Sequence, residues 1–480
     1  MMRALTLALA ACLAGCSLQP PYARPALPVP ASWPVGDPYL RQSETDLPQV
    51  AYREIFTDPR LQALIGQALA NNRDLRAAAA NILAARAQYR IQRAERLPQI
   101  DVGARGARTG GKGSPSGAGT SGSSRDAYSV EVGVTAFELD LFGRVASLSD
   151  AALDRYFATE AASRATRLTL VADVAEAWLT YGADASLLRI ARDTALSAQA
   201  SVRLTDARLR GGVAPRTDLR QAQTVLATAQ ADVATLRTAL AQDVNALQLL
   251  LGSPVDPALL PASIDEAGGG LKTLPAGLPS TVLLRRPDVV QAEYGLRAAN
   301  AQIGAARAAL FPTISLTAAL GYASTALSSL FTGGAFNSSV APSASFPIFR
   351  AGAGRAGVAA SKAQRDVALA AYEKAIQAAF RETADALARQ GTIADELAAR
   401  QTEASAADDI FRLTDARYRG GADTFLNSLV AQRALYAAQQ SRVATQLAAA
   451  VNRVALYRAI GGDETAESAA LAGNSRGAQP

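Results

Sequence analysis

The sequence has no histidine, and its only cysteines are Cys12 and Cys16. These absences exclude His-based acid–base catalysis, His/Cys metal centres and any Cys–His nucleophile. Aromatic residues make up 6% of the chain and charged residues 19%. Outside the amino-terminal leader no apolar run reaches the ~18 residues that a membrane-spanning helix needs. The net charge is +6. Lys and Arg are interleaved with Asp and Glu rather than gathered in a block, which argues against a nucleic-acid partner. The reading is of a non-enzyme with no cofactor and no metal. What the chain does have is apolar residues, 49% of the total and mostly alanine, which predicts long, closely packed helices.

The first sixteen residues, "MMRALTLALAACLAGC", carry one positive charge at Arg3, then an apolar run, then small residues. This is the pattern of a secretory signal, too short to span as a mature helix. Its end, "LAGC" (Leu13 to Cys16), resembles the lipobox of bacterial lipoproteins. That resemblance implies cleavage before Cys16 and acylation of that cysteine, with palmitate among the chains, and Ser17 beside it suits export to the outer membrane. Pro20, Pro21, Pro25, Pro28, Pro30 and Pro34 then make residues 20–34 a non-helical, extended tether.

The chain writes one string twice: "LTDARLRGG" at 204–212 and "LTDARYRGG" at 413–421, 209 positions apart (413 − 204) and differing only at Leu209 and Tyr418. Further upstream, residues 72–100 match 286–314, pairing Asp74 with Asp288 and Pro98 with Pro312. This is a duplication. Each half reads as a helix ending at a Pro (98 or 312), two strands joined by a loop, a very long helix running to Gly-Gly, and a returning helix. The long helices are expected over Arg144–Arg210 and Val358–Arg419, where Gly182 and Gly391 are the only breaks. At 1.5 Å per residue each is roughly 95–100 Å long, so coiled-coil-like packing is expected. The returning helix carries Leu226, Ala229, Val233, Leu236, Leu240, Val244, Leu247 and Leu251 at alternating spacings of three and four, and Val443, Leu447, Val451 and Val454 do the same in the second half.

The strands, the first expected over 98–108 and the fourth over 338–347, alternate with period two. Val130, Val132 and Val134 share one face against Glu131, Gly133 and Thr135; Ile314, Leu316 and Leu320 share a face against Ser315, Thr317 and Gly321. Strands of about ten residues with one apolar face fit a membrane β-strand, so these six residues are expected to face lipid. Aromatic residues near the strand ends (Tyr128, Phe137, Phe311, Tyr322, Phe346, Phe349) fit a girdle at the membrane interface. Four strands cannot close a barrel and open edges are not tolerated in lipid. Two chains would give eight strands and a filled lumen, whereas three would give twelve and a bore, which points to a homotrimer.

"LLRRPDVVQAE" (283–293), together with the lipobox, "ELDLFGR" (138–144), "FPTI" (311–314), "FPIF" (346–349) and the paired "RGG" turns, resembles the outer-membrane efflux channels, the TolC/OprM-like lipoproteins of tripartite pumps. The resemblance spans nearly all of residues 17–462. It implies a fold that is mainly α with transmembrane β: a trimeric twelve-stranded outer-membrane β-barrel, four strands per protomer, and a long periplasmic α-helical barrel with internal structural duplication. It implies a lipid-anchored protein of the cell outer membrane extending into the periplasm. Its partners would be a periplasmic adaptor protein, an inner-membrane pump of the proton-driven RND type, and outer-membrane lipid. The expected divisions are a signal peptide at 1–15, a lipidated extended tether at 16–60, repeats at 61–262 and 263–462, and a tail at 463–480.

In that family the long helices end at a periplasmic tip that forms a gate. The corresponding residues here are Asp206, Arg210, Gly211, Gly212 and Asp218 in the first hairpin, and Tyr418, Arg419, Gly420, Gly421, Asp423, Leu426 and Asn427 in the second. Asp206 and Tyr418 are expected to cross-link neighbouring helices. Acids are common in the family where Asn427 and Val430 stand, so the constriction here would rest on Asp423 and Leu426, with weak block by divalent cations. Arg285, Arg286, Pro287 and Asp288 are read as structural, because Pro and an acid suit a helix start.

Three functions fit, in order: an efflux exit duct for drugs or other small toxic compounds, a type I secretion duct passing polypeptide, and a non-conducting periplasmic coiled-coil scaffold. "GAGTSG" (117–122) and "GARTGGKG" (106–113) imitate phosphate loops but lack the strand-then-helix setting those motifs require.

Overall fold

The protein is described by a computed structural model covering residues 17–30, 32–34, 52–109, 125–272 and 280–462. Cys16, most of the two loop motifs and the 463–480 tail lie outside the described residues.

The duplication is visible in element lengths. A helix (α3, Arg73–Ala94), a strand pair (β1, Ile100–Thr109; β2, Arg125–Glu138), a long helix (α4, Arg144–Arg210) and a returning helix (α5, Arg216–Leu251) form the first copy. After a short helix (α6, Ile264–Gly269) come α7 (Pro287–Ala308), β3 (Thr313–Ser324), β4 (Phe336–Ser345), α8 (Ala353–Arg419) and α9 (Phe425–Ile460). Each of α3 and α7 has 22 residues, each of α4 and α8 has 67, and each of α5 and α9 has 36. At 1.5 Å per residue α4 and α8 are each about 100 Å long. Two short helices precede the first copy, α1 (Tyr52–Ile55) and α2 (Pro59–Asn71).

The chain divides into two compact units. One gathers Met1–Pro25, Asn81–Thr159 and Gln291–Tyr372; the other gathers Ala26–Ala80, Glu160–Val290 and Glu373–Pro480. The first unit is built on an antiparallel sheet of order β1-β2-β3-β4. A bulge lies between Val134 and Phe137, where Ala136 takes φ 50° and its amide donates to Thr317 Oγ1 at 3.1 Å. The second unit buries Trp178, whose Nε1 donates to the Leu259 carbonyl at 3.0 Å. There the middle of α4 packs on the 257–271 connector. Ser186 Oγ accepts from the Ile264 amide at 2.9 Å, and a Cβ at Gly182 would sit 3.1 Å from the Ser263 carbonyl oxygen and 3.1 Å from Ala267 Cβ.

Several boundaries differ from expectation. α3 and α7 stop at Ala94 and Ala308, four residues short of Pro98 and Pro312; the prolines disfavour helical backbone only at Leu97 and Phe311, and the residues between form turns. α8 starts at Ala353 rather than Val358, so Gly354 and Gly357 lie within the helix. β4 is 336–345 rather than 338–347. The tether was expected to stay extended to residue 60, yet Tyr52, Ile55 and Phe56 are buried, Phe56 bridges to Leu271, and Asp58 caps α2 by accepting from the Arg60 amide at 2.8 Å. Aromatic and branched residues at 52–56 give this segment a core to join. Among the described residues no helix is long and apolar enough to cross a membrane.

Candidate functional site

The sheet has two unlike faces. Its rungs place Ile100, Val134, Ala318 and Val340 side by side, then Val102, Val132, Leu320 and Ser338, then Ala104, Val130, Tyr322 and Phe336. On this face Val102 is 74% exposed, Val340 72%, Leu320 58% and Val132 45%. So continuous an exposed apolar surface marks a buried partner or a lipid phase. Leu316 pairs with Phe137 and Pro342, and Ile314 with Ala344, extending the row. Tyr322, Phe331 and Phe336 cluster at one end of the strands, with centroids 5.8 Å apart in each contact. At the other end Phe142 stacks on Phe311 at 4.8 Å, and Phe346 and Phe349 are exposed. The opposite face carries Asp101, Gly103, Arg105, Ser129, Glu131, Gly133, Ser315, Thr317, Gly321, Asn337, Ser339 and Ser343.

"ELDLFGR" builds the corner from β2 into α4. Glu138 accepts from Arg144 Nε and Nη2 at 2.8 and 2.6 Å. Asp140 accepts from the Ala146 amide at 2.7 Å, satisfying one of the helix's free donors. Gly143 takes φ 72°, which only glycine adopts without strain.

The amino-terminal strap is docked on α7. Leu18 and Pro20 carbonyls accept from Arg307 Nη1 and Asn300 Nδ2 at 3.1 and 2.8 Å. A turn or more along the helix, the buried Glu293 accepts from Arg24 at 3.0 and 2.7 Å, from Arg297 at 2.7 Å and from Tyr22 at 3.3 Å. Gly304 leaves room for the strap, because a Cβ there would lie 2.9 Å from Gln19 Cα and 2.6 Å from Ser147 Oγ. The strap therefore runs antiparallel to α7, and Ser17 lies toward the end of α7 that leads into β3.

Arg286 gives "RRPD" its structural meaning. It is 6% exposed, and it donates to Asp288 at 3.1 and 2.9 Å, to Glu382 on α8 at 2.8 Å and to the Ala459 carbonyl at the end of α9 at 3.4 Å. Burial works against its charge, but the two carboxylates outweigh that and raise its pKa above the ordinary value. Pro287 is the first residue of α7 and Asp288 lies in its first turn. Arg285 ends the six-residue 3₁₀ helix, Ser280–Arg285, before it.

At the hairpin tips the two copies close identically. Gly212 and Gly421 take φ 74° and 77°. Their amides donate to Leu209 and Tyr418 carbonyls at 3.0 Å, and the following amides of Val213 and Ala422 donate to Arg208 and Arg417 carbonyls at 3.0 and 2.9 Å. This is a Schellman closure, with Gly211 and Gly420 as the last half-helical residues.

The side chains then diverge. Arg417 pairs with Asp423 at 3.3 Å inside its own hairpin. Ala214 stands where Asp423 would be in the first copy (423 − 209), so Arg208 has no such acid. Arg208 instead crosses to the other hairpin. Its guanidinium lies 4.3 Å from the Tyr418 ring centroid, and its Nη2 donates to the carbonyls of Tyr418 at 2.9 Å and Arg419 at 3.2 Å. Tyr418 is buried beside Phe425, Leu429, Ala198, Ala222 and Val225. Of the two residues expected to link neighbouring helices, Tyr418 is thus met within the chain by Arg208 of the other hairpin. Asp206 pairs with Arg210 in its own helix at 3.1 Å and Arg419 with Asp415 at 2.7 Å, the i,i+4 arrangement. Arg208 was missed by sequence reasoning, although comparing positions 214 and 423 would have exposed it.

Asp423 also accepts from Asn427 Nδ2 at 2.7 Å and from the Thr424 amide at 2.8 Å. The Asn427 bond foremost, then the amide, hold its pKa below the usual carboxylate value. Leu426 and Asn427 are exposed, and Asp218 lies half-buried in the first turn of α5.

The chain matches the family described as outer membrane efflux protein over residues 64–253 and 278–462. It is 46% identical over 456 residues to the solvent efflux pump outer membrane protein SrpC of Pseudomonas putida, covering 94% of this chain and 96% of that one. It is 40% identical over 456 residues to the outer membrane protein OprJ of Pseudomonas aeruginosa, covering 95% of each. Among solved structures, the open state of the MtrE outer membrane channel of Neisseria gonorrhoeae superposes with a TM-score of 0.82 at 35% identity, covering 93% of this chain and 98% of that one.

Proposed function

This chain belongs to the outer membrane efflux protein family, and from that premise we propose that it is the exit duct for small, toxic, largely apolar compounds. It is an outer-membrane channel of a tripartite efflux system, a trimer that works with a periplasmic adaptor and an inner-membrane pump and extends into the periplasm. The cargo class is suggested by the solvent pump to which SrpC belongs. The pump behind it is read as proton-driven and of the RND type. The duct itself is read as non-catalytic: it supplies walls and a gate, and the pump supplies the energy.

The observation that carries this reading is the two-faced sheet with open edges at β1 and β4. An exposed apolar face with unpaired edges is stable in lipid only when further strands close it. Three sheets give twelve strands with the polar face inward. Val130, Val132, Val134, Ile314, Leu316 and Leu320 are assigned to lipid.

The tips are assigned as the gate. Arg208 on Tyr418 ties the two hairpins of one protomer, and Asp423, Leu426 and Asn427 line the entrance. Cys16 is assigned as the lipid attachment site. Supporting this, the docked strap brings Ser17 toward the strand end of α7, so an acylated neighbour would meet the same membrane as the sheet. The divisions at 1–15, 16–60, 61–262, 263–462 and 463–480 are kept as functional segments, with residues 52–60 folded rather than extended.

The test is conductance of the purified protein in planar lipid bilayers, paired with the solvent and drug sensitivity of a deletion strain. The reading expects stepwise currents and a sensitised strain. A protein that inserts and passes no current under any voltage, in a strain with unchanged sensitivity, would overturn it.

A further inference from the structure

The polar face of the sheet holds one carboxylate in an unusual setting. Glu131 stands in the rung Gly103–Glu131–Gly321–Asn337, so neither directly paired neighbour has a side chain. The next polar-face residue on its own strand is Gly133, also bare. Space explains Gly321 and Gly133, while a Cβ at Gly103 would make only ordinary contact. Glu131 leans over Gly103, where a Cβ would touch its Cγ at 3.8 Å and its Oε1 at 4.0 Å. A Cβ at Gly321 would collide with the Val130 carbonyl and lie 2.6 Å from Glu131 Cα, and one at Gly133 would lie 2.5 Å from the Ala318 carbonyl.

Glu131 is exposed and forms no ion pair among the described residues. Two further charges on this face, among the described side chains, flank it on β1, and Glu138 lies further along β2. Asp101, two residues along, accepts from Gln99 at 3.1 Å. Arg105, one rung toward the β3–β4 loop, lines a cavity of about 770 Å³ with Ser129, Ala323 and the loop residues Thr332 to Ala335. Among the described side chains the face therefore carries Asp101, Glu131 and Glu138 against Arg105, Glu138 is taken up by Arg144, and only Glu131 rises from a bare floor.

We propose that Glu131 sets the charge preference of the barrel bore, favouring cationic over anionic solutes. The proposal rests on the reading that this face lines a conducting trimeric barrel. Three symmetry copies then place three unpaired carboxylates at one level, in a lumen walled by low-dielectric strands where a ring of like charge concentrates counter-ions. Gly103 and Gly321 act with it, because they leave the carboxylate uncovered. A protonated amine would pass this level more readily than a carboxylate-bearing solute of the same size.

The experiment is the reversal potential of single channels in a potassium chloride gradient. It compares the wild type, Glu131→Gln and Glu131→Arg, each with the native tip and with Arg208→Ala, so that the tip does not dominate the reading. Asp423→Asn serves as a tip control, and trimer on unboiled gels shows that each variant assembles. The expected result is that Glu131→Gln lowers the potassium-to-chloride permeability ratio by about two-fold or more and Glu131→Arg takes it lower still. Conducting Glu131→Gln channels with the wild-type ratio in both tip backgrounds would overturn the proposal, whatever Asp423→Asn does. Loss of conductance in all variants including the wild type would overturn the channel reading, and this proposal with it.

Discussion

Arg208 lies 4.3 Å from the ring centroid of Tyr418 and donates to its backbone carbonyl at 2.9 Å, joining two hairpins whose sequences are copies of each other. The link exists because the copies differ. Arg417 is satisfied by Asp423, whereas the first copy has Ala214 at the corresponding position and Arg208 reaches across to the other hairpin. A charged donor on a carbonyl contributes ~1.5–3 kcal/mol and a cation–π contact ~0.5–2 kcal/mol. Arg208→Ala should therefore loosen the tip, raise resting conductance and sensitise cells to large antibiotics, while the trimer stays intact on unboiled gels. Asp206→Ala should do little, because it removes only a surface i,i+4 pair. Equal resting conductance in Arg208→Ala and the wild type would remove this residue from the latch.

The faces of the sheet make a second prediction. Arg at Val132, on the apolar face, should cost about 2–4 kcal/mol near the bilayer middle. Arg at Glu131, one residue away on the polar face, should assemble. Urea or heat unfolding in detergent or vesicles checks the difference, and equal stability would mean that the faces are assigned wrongly.

Arg286 makes a third. Removing a buried guanidinium that serves two carboxylates and a helix-end carbonyl leaves them unpaired, at a cost of about 3–5 kcal/mol. Arg286→Ala should lower the melting temperature sharply. Arg286→Lys should not restore it, because a point charge cannot replace the planar fork. Recovery by lysine would show that charge alone matters there.

A pH dependence follows from Asp243, whose pKa is pushed up to about 6 by burial and by the neighbouring Asp184. Asp184 is raised too, chiefly by burial. A carboxyl raised in the folded state binds its proton more tightly there than when unfolded. The folded state is therefore favoured at low pH, and that advantage is lost as pH rises from about 4 to about 6. Asp243→Asn should gain stability over the wild type at pH 7, and the gain should shrink by pH 5. A gain that does not vary with pH would contradict the shared burial of the pair.

Acylation makes the last prediction. Mass spectrometry of the mature amino-terminal peptide should find a lipid-modified Cys16, and Gly304→Val, which intrudes on Gln19, should make the strap easier to cut with protease. An unmodified amino terminus, or cleavage elsewhere, would refute the anchor.

Much of the fold could be read beforehand because it is periodic or repeated. The two copies of "LTDAR(L/Y)RGG" announced matched hairpins, and α4 ends at Arg210 and α8 at Arg419 as the Gly-Gly pairs require. The valines at 130, 132 and 134 announced the apolar face. What stayed hidden depends on contacts distant in sequence. The Arg286–Glu382 pair spans 96 positions, the Arg24–Glu293 pair 269 and the Arg208–Tyr418 contact 210. Local pattern does not report such partners. Chemistry marks Asp206 and Tyr418 as able to link helices but does not name their partners, which within one chain are Arg210 and Arg208.

The central claim is that three chains close one barrel through the free edges β1 and β4. Because Cys16 is the only cysteine after the leader, paired cysteines can be scanned along β1 (Val102, Ala104) and β4 (Ser338, Val340) and oxidised in the outer membrane. The account predicts that at least one pairing yields a ladder on reducing-agent-free gels that stops at three chains and collapses to one on reduction. A ladder that stops at two, or one that runs on past three, would contradict it.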